Sequence, residues 1–260
     1  MGIKMEDESV RVRAEIDSLL NLASKIPFID NHPIFYIQPC KSLIGLDYNK
    51  PPRQLLKWLE CYIQKSNYSL GLEYNKMANE DLEVLSIKKL QELVINKSLS
   101  ESHSYLSNLI KMSNPYYLME VIFEISLSST IDRIIFCWFA YKCIRFMNPD
   151  SSIEILYICI DCLNSKKINK IISSKYETFY LFCYMKQIIK SDMVRKNTIK
   201  PILEKIIASL NTLDMLNINI PKRFKESLRK KGVYAIVDYI KGLETNAFNI
   251  KEVLMLDAIR

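Results

Sequence analysis

Apolar residues recur at three- and four-residue spacing along most of this chain, whereas strict alternation of apolar and polar residues is rare. In an α-helix, residues three and four positions apart share one face, whereas a strand places alternate residues on one face. Only 5 of the 260 residues are glycine, so few positions suit the tight turns of β-hairpins. The spacing therefore predicts an all-α protein.

The predicted helices follow one another closely, with polar residues or prolines at their starts. Residues of this kind are predicted to begin helices at Asn79, Pro115, Ser151, Pro201 and Pro221. Glu154 gives Ser151 the spacing of a capping box, and Gly232 suits a left-handed C-terminal cap. Roughly 10 to 12 helices joined by short turns indicate a compact multi-helix bundle or a short stack of helical hairpins. The stack would have HEAT-like or tetratricopeptide-like architecture without a repeat consensus.

One long stretch, residues 26–52, interrupts the helical pattern. It contains Pro27, Pro33, Pro39, Pro51 and Pro52. Each proline lacks a backbone N–H donor and restricts the residue before it, so we expect an irregular connection that is packed against the helices or functional. His32 and Asp30 in this stretch could supply acid–base chemistry, but no nucleophile or metal-ligand set accompanies them. A turn with a local backbone hydrogen bond explains the pair as well.

The two halves of the chain differ in net charge. Residues 1–130 carry 14 Lys and Arg against 16 Asp and Glu, and residues 131–260 carry 22 against 13. A chain of this length suits a single domain, residues 1–260, or two packed subdomains that correspond to the slightly acidic and the basic half. An excess of basic charge favours anionic partners such as nucleic acid, acidic lipid or an acidic protein surface.

The basic residues are densest in the stretch KRFKESLRKK. From Asn164 to Lys231 there are 16 Lys and Arg against 5 Asp and Glu. On a helix, Phe224 and Leu228 would form a narrow apolar stripe, and the charged side chains would form a wide face that could neutralise several phosphates. The candidate residues for binding an anion or nucleic acid are Lys222, Arg223, Lys225, Arg229, Lys230 and Lys231.

Three tyrosines lie four residues apart shortly before this stretch, at Tyr176, Tyr180 and Tyr184. Such a stripe on a helix could stack on unpaired bases. Core packing is the alternative, because large side chains at helical spacing usually face the interior.

The most apolar run of the chain is IIFCWFAYKCIRF, from Ile134 to Phe146. Only eight uncharged residues separate Arg133 from Lys142, whereas a bilayer span requires about 20 predominantly apolar residues. The run therefore predicts a core helix and no membrane span. We expect Phe136, Cys137 and Ile144 to be buried.

Seven cysteines and an N-terminus without an apolar signal segment predict reduced thiols in the cytoplasm or another reduced intracellular compartment. Cys159 and Cys162 have CxxC spacing, but they lie inside an apolar helical run and no second pair accompanies them. We expect buried thiols. A metal site across two antiparallel helices, with Cys137 and Cys143 as further ligands, is the alternative.

Glu120 and Glu124 are four residues apart on an apolar helix, as are the carboxylates of metal sites in helical bundles. The Glu-x-x-His pattern of such sites is absent. The alternative is that both carboxylates face solvent or pair with cations of the following helix, namely Arg133, Lys142 or Arg145.

Three functional hypotheses follow from these patterns. The first is a non-enzymatic helical interaction or adaptor protein that needs no cofactor and binds a macromolecular partner, most simply a protein. The second is a nucleic-acid-associated protein that uses the basic C-terminal face. The third is a helical enzyme or metal protein with a site at Glu120, Glu124 and His103, or in the proline-rich stretch.

Overall fold

The computed structural model of the protein describes residues 2–47, 49–65, 86–165, 177–209, 230–232, 234–244, 248 and 250–259. Within these ranges the chain forms twelve α-helices and no strand, which confirms the all-α prediction. The helices are α1 (Gly2–Ala23), α2 (Ile34–Ile44), α3 (Arg53–Lys65), α4 (Ile87–Ile95), α5 (Leu99–Met112), α6 (Pro115–Ser126), α7 (Ile131–Ile144), α8 (Pro149–Asn164), α9 (Glu177–Ile189), α10 (Lys196–Ser209), α11 (Tyr234–Lys241) and α12 (Ile250–Ile259). A short 3₁₀ turn, Gly45–Asp47, follows α2.

Helix α7 lies at the centre of the bundle, in contact with α6, α2, α8 and α9. Eleven of its 14 residues are buried, as expected for a helix that is apolar on most sides. Phe136, Cys137 and Ile144 have no exposed surface, so their predicted burial is confirmed. No helix in the described ranges is both long enough and apolar enough to cross a membrane.

The proline-rich stretch contains a helix, so the prediction of an irregular connection was wrong for residues 34–44. Pro33 stands at the N-cap of α2, where its missing N–H removes no helical hydrogen bond, whereas Pro39 lies inside the helix. A proline inside a helix costs about 3 kcal/mol. Nine of the eleven residues of α2 are buried, and each large apolar side chain that is buried contributes about 1.5 to 3 kcal/mol. The free energy gained by burying the apolar side chains of α2 therefore exceeds the cost of Pro39.

Helix α2 also joins the two halves of the sequence. It packs against α1 and α3 of the first half and against α7 and α12 of the second. The halves thus share a core. Their division into two subdomains stays a prediction.

The predicted helix starts were right at one described position and wrong at two others. Pro115 begins α6, with the Asn114 side chain accepting a hydrogen bond from the backbone of Tyr116. The cap of α8 is Asn148, whose side chain accepts from the Ser151 N–H, so the predicted capping box does not form. Pro201 lies inside α10, which begins at Lys196.

Two further predictions concern residues beside undescribed ranges. Helix α4 begins at Ile87, because Ser86 has an extended backbone and accepts the capping hydrogen bond from Lys89. The predicted start at Asn79 lies outside the described residues, as does the one at Pro221. Gly232 has a φ of 56°, which confirms the predicted left-handed conformation.

Candidate functional site

The predicted basic face lies mostly outside the described residues. Lys222, Arg223, Lys225 and Arg229 belong to residues 210–229, which the structure does not describe. Lys230 and Lys231 are exposed, and the Lys231 ammonium donates to the Asp238 carboxylate at 2.7 Å. An exposed pair of this kind contributes less than about 1 kcal/mol. Convergence of the six residues on one face stays a prediction.

The tyrosine stripe faces the core where it is described. Tyr180 and Tyr184 are buried, and the Tyr184 hydroxyl donates to the Asp257 carboxylate at 3.2 Å. Their core-facing interpretation is confirmed, and neither ring is accessible to a base. Tyr176 lies outside the described residues.

Glu120 caps another helix. Its buried carboxylate accepts hydrogen bonds from the backbone N–H groups of Val194 at 3.0 Å and Arg195 at 2.9 Å. These two residues directly precede α10, and a negative charge near a helix N-terminus is stabilised by the helix dipole and the unpaired N–H groups there. The Glu120 carboxylate therefore lies at the position before α10 where a bound anion would be stabilised.

Glu124 forms an ion pair with Arg195, whose guanidinium donates to it at 2.5 and 2.8 Å. Arg195 also donates to the Tyr117 hydroxyl at 3.0 Å. Ion pairing of Glu124 was among the alternatives inferred from sequence, but the predicted partners on the following helix were wrong. Arg195 is 71 residues away in the chain, so no local spacing indicated it.

The three cations that were considered as partners of Glu120 and Glu124 have other contacts. The Arg145 guanidinium donates to the Asp192 carboxylate at 2.6 Å, and Arg133 donates to the backbone carbonyl of Ser165, at the C-terminus of α8. The Lys142 ammonium lies 5.5 Å from the centre of the Trp138 ring. The contacts of Arg145 and Arg133 hold a loop residue and a helix end, whereas that of Lys142 lies within α7.

His103 lies between α5 and α8, where its Nε2 is 2.8 Å from the Asp161 carboxylate. The hydroxyls of Ser107 and Tyr157, one turn further along the same two helices, are 2.6 Å apart. Within the described ranges, no three His, Cys, Asp or Glu residues converge as a metal-binding group. The structure therefore does not bring together the metal candidates Cys159, Cys162, Glu120 and Glu124.

The CxxC cysteines belong to the core. Cys159 and Cys162 have no exposed surface, and burial raises the pKa of both thiols well above the ordinary value. Cys137 and Cys143 are equally buried. Neutral thiols in apolar surroundings act as small apolar side chains, so the predicted burial is confirmed.

His32 is also a structural residue. It is fully buried, with ring Nε2 3.1 Å from the Ile26 carbonyl oxygen and Nδ1 accepting from the Ile34 N–H at 3.3 Å. The ring meets Phe136 edge to face at 5.4 Å. Burial lowers the pKa of His32 to about 4, so the ring is neutral at pH 7. Its surroundings are those of a packed core histidine.

Two surface depressions meet at Pro51, which lines both of them. The larger one, here called the basic cleft, has a volume of about 520 Å³ and is lined by Glu8 and by four cations, Lys50, Arg53, Lys57 and Lys241. Arg53 and Lys57 are four residues apart on α3 and therefore share a face. Lys241 comes from the end of α11. The cleft thus combines residues from distant parts of the sequence.

The cations of the basic cleft differ in their existing partners. Arg53 donates to Glu15 at 2.8 Å and to Glu8 at 3.2 Å, and Lys241 donates to Asp47 at 2.5 Å. Lys50 and Lys57 are exposed, and neither ammonium forms an ion pair within the described part of the chain. Two positive charges therefore remain available to a ligand.

The smaller depression, here called the apolar groove, has a volume of about 320 Å³. Val12 and Ile16 of α1 and Ile44 of α2 are its buried apolar residues, and the half-exposed Phe146 ring lies at its edge. Gly45 also lines it. Gly45 is exposed, and a Cβ built there would have no neighbouring atom within 4 Å.

Three charged side chains line the apolar groove: Arg13, Asp17 and Lys41. The Lys41 ammonium donates to the Lys142 carbonyl at 2.8 Å and lies 3.7 Å from the centre of the Phe146 ring. Asp17 Oδ1 is buried and has no hydrogen-bond partner among the described residues. Burial raises the pKa of Asp17 although Arg13 and Lys41 act in the opposite direction.

Sequence reasoning missed this paired site. Its residues come from α1, α2 and the turn after it, the segment before α3, α3 itself, the end of α7 and α11, and only folding brings them together. No protein-family model matches the chain, and the searches of curated proteins and of solved structures found no match either.

Proposed function

We propose that the protein is a non-catalytic helical binding protein that recognises an anionic segment of a macromolecular partner through the basic cleft. The observation that carries the proposal is the pair Lys50 and Lys57, two exposed ammonium groups without an ion-pair partner in the described ranges, beside an open volume of about 520 Å³. Two buried titratable groups that could serve catalysis, His32 and Glu120, are engaged in structural hydrogen bonds.

The chemistry of the cleft favours a moderate, salt-sensitive interaction. Each exposed contact between an ammonium and a carboxylate contributes at most about 1 kcal/mol and is screened by salt. Complementary charge of this kind mainly raises the association rate and selects partners. The cleft therefore suits an adaptor that binds reversibly. All seven cysteines are free thiols, and we place the protein in the cytoplasm or another reducing compartment.

A fluorescence anisotropy titration with a labelled Glu-rich peptide tests the proposal. We expect binding that weakens about tenfold or more between low and high salt. We expect Lys50→Glu/Lys57→Glu to remove most of it. The matched control is Lys88→Glu/Lys89→Glu, because these residues are also exposed, lie on α4 and change the net charge equally. Equal binding by the two double variants would contradict a role for the cleft.

Nucleic-acid binding by the C-terminal basic segment is a second proposal, supported by the 16 basic against 5 acidic residues between Asn164 and Lys231. The test is the same titration with a labelled single-stranded oligonucleotide. Arg223→Glu/Lys225→Glu/Arg229→Glu should abolish that binding and leave the peptide titration unchanged. Retention of oligonucleotide binding in the triple variant would contradict this second proposal.

A further inference from the structure

We infer that the partner segment is an acidic peptide with one bulky apolar side chain, which inserts into the apolar groove while neighbouring carboxylates reach the basic cleft. The inference rests on the proposed function and adds the chemistry of the ligand. It follows from the position of the two depressions, which share Pro51 as a common wall.

The size and lining of the groove suit a single side chain. A volume of about 320 Å³ is at the lower end of the roughly 300 to 1,000 Å³ of ligand pockets. Its apolar residues Val12 and Ile16 are one turn apart on α1 and face Ile44 of α2. Burial of a Leu or Phe side chain against them would supply an affinity that salt does not screen.

The charges around the two depressions favour acidic residues beside the anchor. In the groove, Arg13 and Lys41 outnumber Asp17, and in the cleft four cations accompany Glu8. The lining of both depressions together is therefore positive. A peptide that carries carboxylates next to its apolar side chain is complementary to this surface.

A nucleic acid suits the same surface less well. The carboxylates of Glu8 and Asp17 are fixed in the walls and would repel a continuous chain of phosphates. Phe146 is the aromatic side chain at the groove, and one face of its ring is covered by the Lys41 ammonium at 3.7 Å. Stacking of a base on that face is therefore blocked.

Gly45 lines the groove at a position where a side chain can be added without disturbing the fold. Its φ of −69° is open to any L-residue, and a Cβ there would meet no atom within 4 Å. Because Gly45 lines the groove, we expect the leucine side chain of the Gly45→Leu variant to take up space that the anchor side chain needs. Gly45→Ala changes the same backbone position and leaves most of the space free, so it is the matched control.

The experiment compares two labelled peptides, a Glu-rich peptide with a central Phe and the same peptide with Ala in its place. By anisotropy, the Phe peptide should bind at least about tenfold more tightly to the wild-type protein. Gly45→Leu should reduce binding of the Phe peptide to the level of the Ala peptide and leave the Ala peptide unchanged. Gly45→Ala should behave like the wild type, with equal thermal midpoints for all variants.

Two results separate this inference from the proposed function. If both peptides bind equally and both depend on Lys50 and Lys57, the anchor is wrong and the cleft is right. If neither peptide binds, both proposals are wrong. Binding of vesicles of acidic lipid that Gly45→Leu abolishes, with no preference for the Phe peptide, would overturn the choice of a peptide.

Discussion

In the centre of the bundle, Glu120 and Glu124 accept hydrogen bonds from the chain's own donors. Around Pro51, the ammonium groups of Lys50 and Lys57 have no ion-pair partner among the described residues. Both regions contain charged side chains beside apolar ones, so composition alone does not separate them. Charges in the centre connect α6 to the segment before α10. Lys50 and Lys57 beside Pro51 are available to a ligand, and the distinction between the two regions is open to measurement.

The largest effect is expected from Glu120→Ala. This substitution leaves the N–H groups of Val194 and Arg195 without their buried acceptor, so the free energy of unfolding should fall by about 3 to 4 kcal/mol. Urea denaturation measures it. Glu92→Ala, an exposed residue on α4, is the control and should change stability by less than about 0.5 kcal/mol. A loss below about 1 kcal/mol in Glu120→Ala would show that the cap is dispensable.

The next effect is a pH dependence at His32. Its pKa falls from 6.5 to about 4 on folding, so the unfolded chain binds a proton more readily than the native state. The stability conferred by the neutral ring is complete above pH 6.5 and is lost as the pH falls towards 4, by about 3 kcal/mol in all. Between pH 7 and pH 4, the free energy of unfolding of His32→Leu should therefore fall by about 3 kcal/mol less than that of the wild-type protein. Identical pH profiles of the two proteins would contradict the assignment.

A smaller effect is expected from the ion pair between Glu124 and Arg195, measured as the coupling free energy of the two side chains. Their side chains retain 24 % and 18 % of their exposure, and solvent screening reduces the strength of such a pair. A double-mutant cycle with Glu124→Gln and Arg195→Gln should give a coupling of about 1 kcal/mol. Additive effects of the two substitutions would mean that the contact contributes nothing to stability.

The smallest effect on the free energy of unfolding is expected from Asp17→Asn. This substitution should increase stability, whereas the preceding ones decrease it. The raised pKa of Asp17 means that the native state binds this proton more tightly than the unfolded chain, so the charged form lowers stability at pH 7. Asp17 is partly exposed, and the gain on removing its charge should stay below about 1 kcal/mol. A clear loss of stability would show that the carboxylate is already satisfied in the folded protein.

The helices of the centre could be predicted because their signals are local. The apolar run that became α7 and the proline that begins α6 each depend on residues within a few turns. Helix α2 was missed because its prolines are local signals against a helix, whereas the burial that overrides them comes from α7 and α12. Pro201 was misassigned for a similar reason, since a proline inside α10 has the same sequence appearance as one at its start.

The candidate site could not be predicted because its residues lie far apart in the sequence. Lys241 pairs with Asp47 across 194 positions, and the half of the chain that supplies Lys50 and Lys57 has more acidic than basic residues. Counting charges along the sequence therefore indicated the C-terminal half. The partner of Glu124 was missed in the same way, because Arg195 approaches α6 only in the folded chain.

The most direct test of the contrast between the two regions is a map of amide chemical-shift changes, recorded by NMR while the Glu-rich peptide with a central Phe is added to the labelled protein. The largest changes should fall on Lys41, Gly45, Lys50 and Lys57, with little change at Val194 and Arg195. Changes centred on Lys230 and Lys231, with none around Gly45, would contradict the account and favour the C-terminal basic segment.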